Sequence, residues 1–249
     1  MKKHYILTAA IAMISAALSL ESVARNYESM QGDPMHTRIY TLDNGLKVYL
    51  SANKEKPRIT AHIAVNTGSR NDPAETTGLA HYLEHLMFKG TQRFGTTNYA
   101  AEAPLLAKIS NLYEEYRTLT DPAKRKAKYH EIDSVSQLAA KYNIPNEYDK
   151  MMSLIGSQGT NAYTSYDVTC YVEDIPANEI ERWAMLQADR FQNMVIRGFH
   201  TELEAVYEEY NIGIAQDQRK LWQAISAMLF PGHPYGTQSR SEERRVWKE

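Results

Sequence analysis

The chain has 249 residues, 43% of them hydrophobic, enough to bury a sizeable core in one large domain or two small ones. Lys and Arg number 28 against 30 Asp and Glu, and the formal net charge of -2 leaves no basic footprint for nucleic acid. Cys170 is the single cysteine, so an intramolecular disulfide is excluded and the fold must rely on its core.

Lys2 and Lys3 precede an apolar run to about Leu20, and Ser22-Val23-Ala24 supplies a small-x-small cleavage site. Residues 1–24 therefore read as a secretory signal peptide cut after Ala24. An exported, periplasmic protein is expected, with no stable membrane span after cleavage. A polar linker over 25–37 follows. From Arg38 the sequence predicts a strand, an Asn44-Gly45 turn, a second strand, a loop around Pro57 and a third strand over 59–66, forming one antiparallel meander. A loop from Gly68 to Thr77 leads to a helix from Gly78 to about Lys89, with Leu79, Leu83, Leu86, Met87 and Phe88 able to anchor it in a core.

Residues 100–150 are charged and periodic, and Asp121-Pro122 breaks them into a helical hairpin. SLIGSQGTNAYTSYDVTCYVEDIP returns to strand character. ANEIERWAMLQADRFQNMVI is an amphipathic helix with Trp183, Leu186 and Phe191 among its core residues, and a further helix runs from about His200 through LEAVYEEYNIGIAQDQRKLWQAISAMLF. Strands interspersed with helices in this way predict an α+β fold. The closing SRSEERRVWKE fits nothing before it and matches a translated sequencing adapter. Native sequence is expected to stop near Gln238, with 239–249 a non-native tail.

The chemistry lies in GLAHYLEHLMFKGT. On a helix, His81, Glu84 and His85 stand at i, i+3 and i+4 and share one face. Two imidazoles one turn apart are a zinc-binding pair, and a catalytic zinc site takes three protein ligands and leaves a position for water. Glu84 beside them is placed to take a proton from that water. The motif alone names no third ligand, and two half-buried histidines beside a solvated glutamate stay open as the plainer alternative.

The order H-x-x-E-H is the inverzincin signature. With TGSRNDPAETTGLAHYLEHLMFKGT and FHTELEAVYEEYN, the chain resembles the insulinase and pitrilysin family of zinc peptidases, which includes the mitochondrial processing peptidases. The resemblance runs from Arg38 to Gln238 and points to the amino-terminal catalytic domain of a truncated bacterial member. It implies one half of a metallopeptidase clamshell, mainly antiparallel sheet packed against helices, with one Zn2+ per chain. In that family a later helix carries two glutamates seven positions apart, which here are Glu202 and Glu209. The resemblance makes Glu209 the third ligand and has Glu202 orient it or a histidine, with Glu204 and Glu208 as rivals by proximity. It also matches Asn161 and Ala162 to a strand that pairs with substrate backbone, although Asn161 and Thr164 could equally be plain edge-strand residues.

Two departures stand out. Glu209 follows His85 by 124 positions, longer than is usual in the family, and the excess falls in 104–150, read as an inserted hairpin that adds a surface feature. The homologous second half that encloses the peptide has no counterpart in these 249 residues. The implied activity is hydrolysis of short or unfolded peptides, with His81, His85 and Glu209 on zinc and Glu84 as base. The alternative is a non-catalytic peptide-binding or scaffold half that needs a partner. A purely structural zinc is disfavoured, because such sites are cysteine-rich and Cys170 is alone. His62, His130, His200 and His233 receive no role.

Overall fold

A computed structural model describes residues 27–74 and 76–237. The expected signal peptide and the expected tail lie outside the described residues. The chain divides into two compact units, with the boundary between Pro57 and Arg58.

The first unit holds a three-stranded antiparallel sheet in the order β1 (Glu28–Ser29), β2 (Arg38–Thr41), β3 (Lys47–Leu50). The Asn44-Gly45 turn forms as expected: Gly45 takes the positive φ that the turn demands, and its amide donates to the Leu42 carbonyl. The stretch read as a linker contains β1, whose residues pair with Arg38 and Ile39.

The second unit corrects the meander. β4 (Arg58–Val65) joins a different sheet, in the order β4-β6-β5, with β5 spanning Gln158–Thr164 and β6 Thr169–Pro176. All eight β4 residues find antiparallel partners on β6, from Arg58 opposite Pro176 to Val65 opposite Thr169. The short β3 has only four residues to offer. Central β6 is largely buried, while β5 lies at an edge. On this sheet, Phe94, Tyr148, Met152 and Ile175 form a core with Trp183 and Leu186 packed against it. Tyr148 and Met152 come from α4 (Glu147–Leu154), and Trp183 and Leu186 from α5 (Ile180–Asn193). Phe191, expected in that core, stays 41% exposed, and the fully buried side chain at this end of α5 is Arg190, enclosed by Phe88, Tyr148, Tyr171 and Phe191.

α1 (Leu79–Leu86) packs against α6 (Phe199–Ile214) through Tyr82, Leu86, Leu203 and Val206. Leu79 and Leu83 do not serve as anchors; they are 43% and 46% exposed, and Tyr82 takes their place. The helical hairpin is present as α2 (Tyr99–Thr118) and α3 (Pro122–Ala140), with Asp121 capping the second helix and Pro122 in its first turn. It starts before Pro104, which is accommodated inside α2, and residues 147–154 are the separate helix α4. The hairpin has its own core of Leu112, Ile132 and Val135. It is more than a surface addition: Glu102 near its start is fully buried against Arg197, and Tyr113 meets Phe199 edge-on at 5.3 Å. The last helix expected from the sequence is interrupted at Gln216, which is extended, so α6 is followed by α7 (Asp217–Leu229) and the short α8 (Pro234–Thr237). No helix among the described residues is long and apolar enough to cross a membrane.

Candidate metal centre

α1 begins at Gly78, whose φ of 97° suits glycine and which has no side chain to cap the helix. Asp72 supplies the cap from the preceding loop, its two carboxylate oxygens accepting from the Gly78 amide at 2.7 Å and the Ala80 amide at 2.9 Å. That loop is pinned to the β5–β6 turn, because the Ser69 and Arg70 amides donate to the Ser165 and Tyr166 carbonyls, each at 3.0 Å. Gly68 makes the approach possible: a Cβ there would lie 2.4 Å from the Ser165 carbonyl oxygen. The TGSRND stretch therefore fixes where α1 starts and how it faces β5.

On α1, Tyr82 and Leu86 point into the contact with α6, and Tyr82 Oη donates to the Phe199 carbonyl at 2.7 Å. On α6, Leu203 and Val206 are buried, while Glu202 and Glu209, two turns apart, share a neighbouring face. Packing one apolar stripe on the other brings His81, His85 and Glu209 together, with one donor atom from each within 4.8 Å of the others. His81 Nε2 and His85 Nε2 are 3.2 Å apart, and Glu209 Oε2 lies 3.7 Å from the first and 3.5 Å from the second. A tetrahedral zinc site with bonds of about 2.0–2.1 Å separates neighbouring donor atoms by about 3.3 Å. The three separations fit such an ion.

The protons fit as well. His85 Nδ1 is 2.9 Å from Glu202 Oε1; when Nδ1 donates there, the lone pair stands on Nε2. That hydrogen bond also pushes the pKa of His85 up, whereas burial, then the neighbouring His85, pushes that of His81 down and favours its neutral, ligating form. Two imidazole nitrogens facing each other beside a carboxylate oxygen form a donor set suited to a cation. Burial raises the Glu202 carboxyl, but hydrogen bonds from His85 and Lys89 outweigh it and hold the group below its ordinary range. Of the two roles open to Glu202, the structure shows contact with a histidine. Its other oxygen pairs with Lys89 Nζ. Lys89 stands four positions after His85, just past the end of α1.

Glu84 is buried on α1, and burial pushes its carboxyl up despite a lowering hydrogen bond from Thr164. Among the described residues, Glu204 and Glu208 are exposed and join no metal-binding group. Asn161 and Ala162 lie on edge strand β5, where the Asn161 side chain accepts from the Ala162 amide at 2.9 Å. Among the described residues β5 pairs on one side only, with β6, and a register shift falls between Gln158 and Asn161. Of the unassigned histidines, His62 sits 3.8 Å from the Cys170 sulfur and His233 packs edge-on against Tyr235, both outside the group.

With this geometry established, comparisons place the chain. The family model for the insulinases, peptidase family M16, matches residues 47–119. A probable mitochondrial-processing peptidase subunit beta of Arabidopsis thaliana is 46% identical over 23% of this chain and 11% of its own length. The insulin-degrading enzyme of Drosophila melanogaster is 34% identical over 34% of this chain and 9% of its own. The chain thus spans a small fraction of these relatives. Among solved structures, pitrilysin superposes with a TM-score of 0.57 at 18% identity, over 88% of this chain and 19% of pitrilysin, which shows the shared α+β fold. Motif, fold and relatives agree, and over residues 47–119 the chain matches the insulinase family of peptidases.

Proposed function

We propose that the chain carries the metal site of a zinc-dependent endopeptidase that hydrolyses short or unfolded peptides. The observation that carries this reading is the trio of donor atoms 3.2–3.7 Å apart, with a buried carboxylate next in sequence to one of them. His81, His85 and Glu209 would hold the ion. When bound, zinc supplies Lewis acidity that polarises a carbonyl and acidifies water. Glu202 holds the His85 ring in its ligating orientation. Glu84, with Oε2 held by Thr164, uses its other oxygen to take a proton from water and return it to the departing amine. The open edge of β5 at Asn161 and Ala162 would receive extended peptide by main-chain pairing, which gives affinity with little sequence preference.

Zinc per chain, measured by elemental analysis, and cleavage of a fluorogenic peptide test this together. About one zinc in both wild type and Glu84→Gln is expected, with hydrolysis about 100- to 10,000-fold slower in the variant. Zinc-dependent cleavage retained by Glu84→Gln would remove the base from the mechanism.

A second homologous half is proposed as partner, since the chain spans 11% and 9% of the two relatives above. Leu221, Trp222, Met228 and Leu229 of α7 leave apolar surface exposed. The other reading, a non-catalytic half that binds peptide for a partner, requires no base: Glu84→Gln mixed with a separately made second half would then cleave as fast as the wild-type mixture. Export to the periplasm is proposed from Lys2, Lys3 and Ser22-Val23-Ala24, and a mature amino terminus at Arg25 in a periplasmic fraction checks it.

A further inference from the structure

β5 does two things at once. Among the described residues its outer edge is unpaired at Asn161 and Ala162, and its last residue, Thr164, reaches back to α1. Thr164 Oγ1 donates to Glu84 Oε2 at 2.5 Å and lies 3.2 Å from Thr169 Oγ1, and Thr169 Oγ1 donates to the Thr67 carbonyl at 3.0 Å. Glu84, Thr164, Thr169 and Thr67, just past the end of β4, thus form a row that crosses from the helix into the sheet. Thr164 and Thr169 are paired neighbours across β5 and β6, so the backbone on both strands fixes the two hydroxyls. A hydroxyl has one proton to give and two lone pairs to accept with. The row can therefore serve Glu84 before and after it takes a proton: Thr164 donates to the carboxylate, or accepts from the acid and donates onward to Thr169.

A carboxylate on a helix can rotate about its side-chain bonds, and among the described residues a hydrogen bond holds one of its oxygens, Oε2. Fixing Oε2 leaves Oε1 with a defined direction. We propose that Thr164, backed by Thr169, is a positioning residue for the base, and that it couples the strand receiving the peptide to the group that moves the proton. This rests on reading Glu84 as the base. Ala162 and Thr164 alternate onto the same face of β5, so a peptide pairing along the edge stiffens the segment that aims Glu84.

The test uses the full-length protein with Thr164→Val, which keeps the β-branched shape and loses the hydroxyl, and Thr164→Ser, which keeps the hydroxyl. Zinc content is expected to stay at the wild-type value in both. Thr164→Val should lower kcat about 10- to 100-fold with KM within about twofold, and Thr164→Ser should recover most of the loss. A merely structural staple between α1 and β5 would instead cost zinc and raise KM. A readout independent of activity accompanies this: in metal-free protein, Thr164→Val and Glu84→Ala should shift the unfolding midpoint non-additively. Unchanged kcat in Thr164→Val, no recovery in Thr164→Ser, or strict additivity would each overturn the proposal while wild-type cleavage left the functional reading standing. Zinc-loaded wild type that cleaves no peptide even when mixed with a separately made second half would overturn the functional reading and, with it, this role of Thr164.

Discussion

Replacing Glu202 by alanine isolates what a buried partner would contribute to His85 as the proposed metal ligand. In the folded protein Glu202 is 12% exposed and contacts two groups, His85 Nδ1 at 2.9 Å and Lys89 Nζ. Removal leaves the His85 ring without its acceptor, so the ring can turn and Nε2 loses its fixed direction toward His81 and Glu209. Lys89, 29% exposed, also loses its anion, and its positive charge then acts unopposed on the site. Both changes disfavour a bound cation. The expected loss of zinc affinity is about 10- to 100-fold, roughly 1.4–2.8 kcal/mol. Competition with a chromophoric chelator at fixed pH measures it directly, with Glu208→Ala, an exposed neighbour on the same helix, as the control expected to bind as wild type. A Glu202→Ala protein that is folded and binds zinc within twofold of wild type would refute the reasoning, because the His85 orientation would then not depend on this carboxylate.

Three further perturbations follow from named contacts. Glu209→Gln exchanges an anionic donor for a neutral one and should drop zinc occupancy well below one per chain in elemental analysis, while Glu204→Gln should leave it unchanged. Arg197→Ala removes a guanidinium that donates to Glu102 at 2.7 Å, to the Thr91 carbonyl at 2.7 Å and to the Lys89 carbonyl at 3.1 Å. Because Glu102 and Arg197 are buried, a loss of about 3–5 kcal/mol is expected in urea unfolding, and a loss under 1 kcal/mol would contradict it. Gly68→Ala forces a methyl against the Ser165 carbonyl and should cost about 1–3 kcal/mol by thermal or urea unfolding, since the obstacle is backbone and cannot rotate away.

The sequence exposed those parts of the site that depend on local period. His81, Glu84 and His85 share a face because a helix repeats every 3.6 residues, and the seven-residue step from Glu202 to Glu209 is two turns of another helix. Such facts survive whatever the helices later pack against. What stayed hidden depends on distant partners. β4 reads as the third strand of a meander from its neighbours, but its partner β6 lies more than a hundred residues later, and no local pattern encodes that choice. Thr164 was visible only as an edge-strand residue, since its bond to Glu84 spans 80 positions. Asp72 caps α1 from six and eight residues upstream, beyond the usual capping distance. Phe191 satisfied the amphipathic pattern, yet Arg190 took the buried place, because four aromatic faces nearby accept a cation.

The three donor side chains are not held equally, and the difference bears on how the centre assembles. His85 is 19% exposed and has its outer nitrogen fixed by Glu202, His81 is 36% exposed, and Glu209 is 55% exposed. The histidines come from one turn of a helix anchored by Tyr82 and Leu86 and capped by Asp72, so their spacing is set before any ion arrives. Glu209 sits in the second half of α6 and depends on the Leu203 and Val206 contact to face them. Ordering a half-exposed glutamate costs side-chain entropy, which the ion must offset when it binds. In the proposed centre the imidazole pair is therefore the preformed part, and Glu209 would be the ligand whose placement responds to anything that shifts α6 relative to α1. A substitution such as Leu203→Ala, which touches none of the donor atoms, should for that reason weaken zinc binding through Glu209.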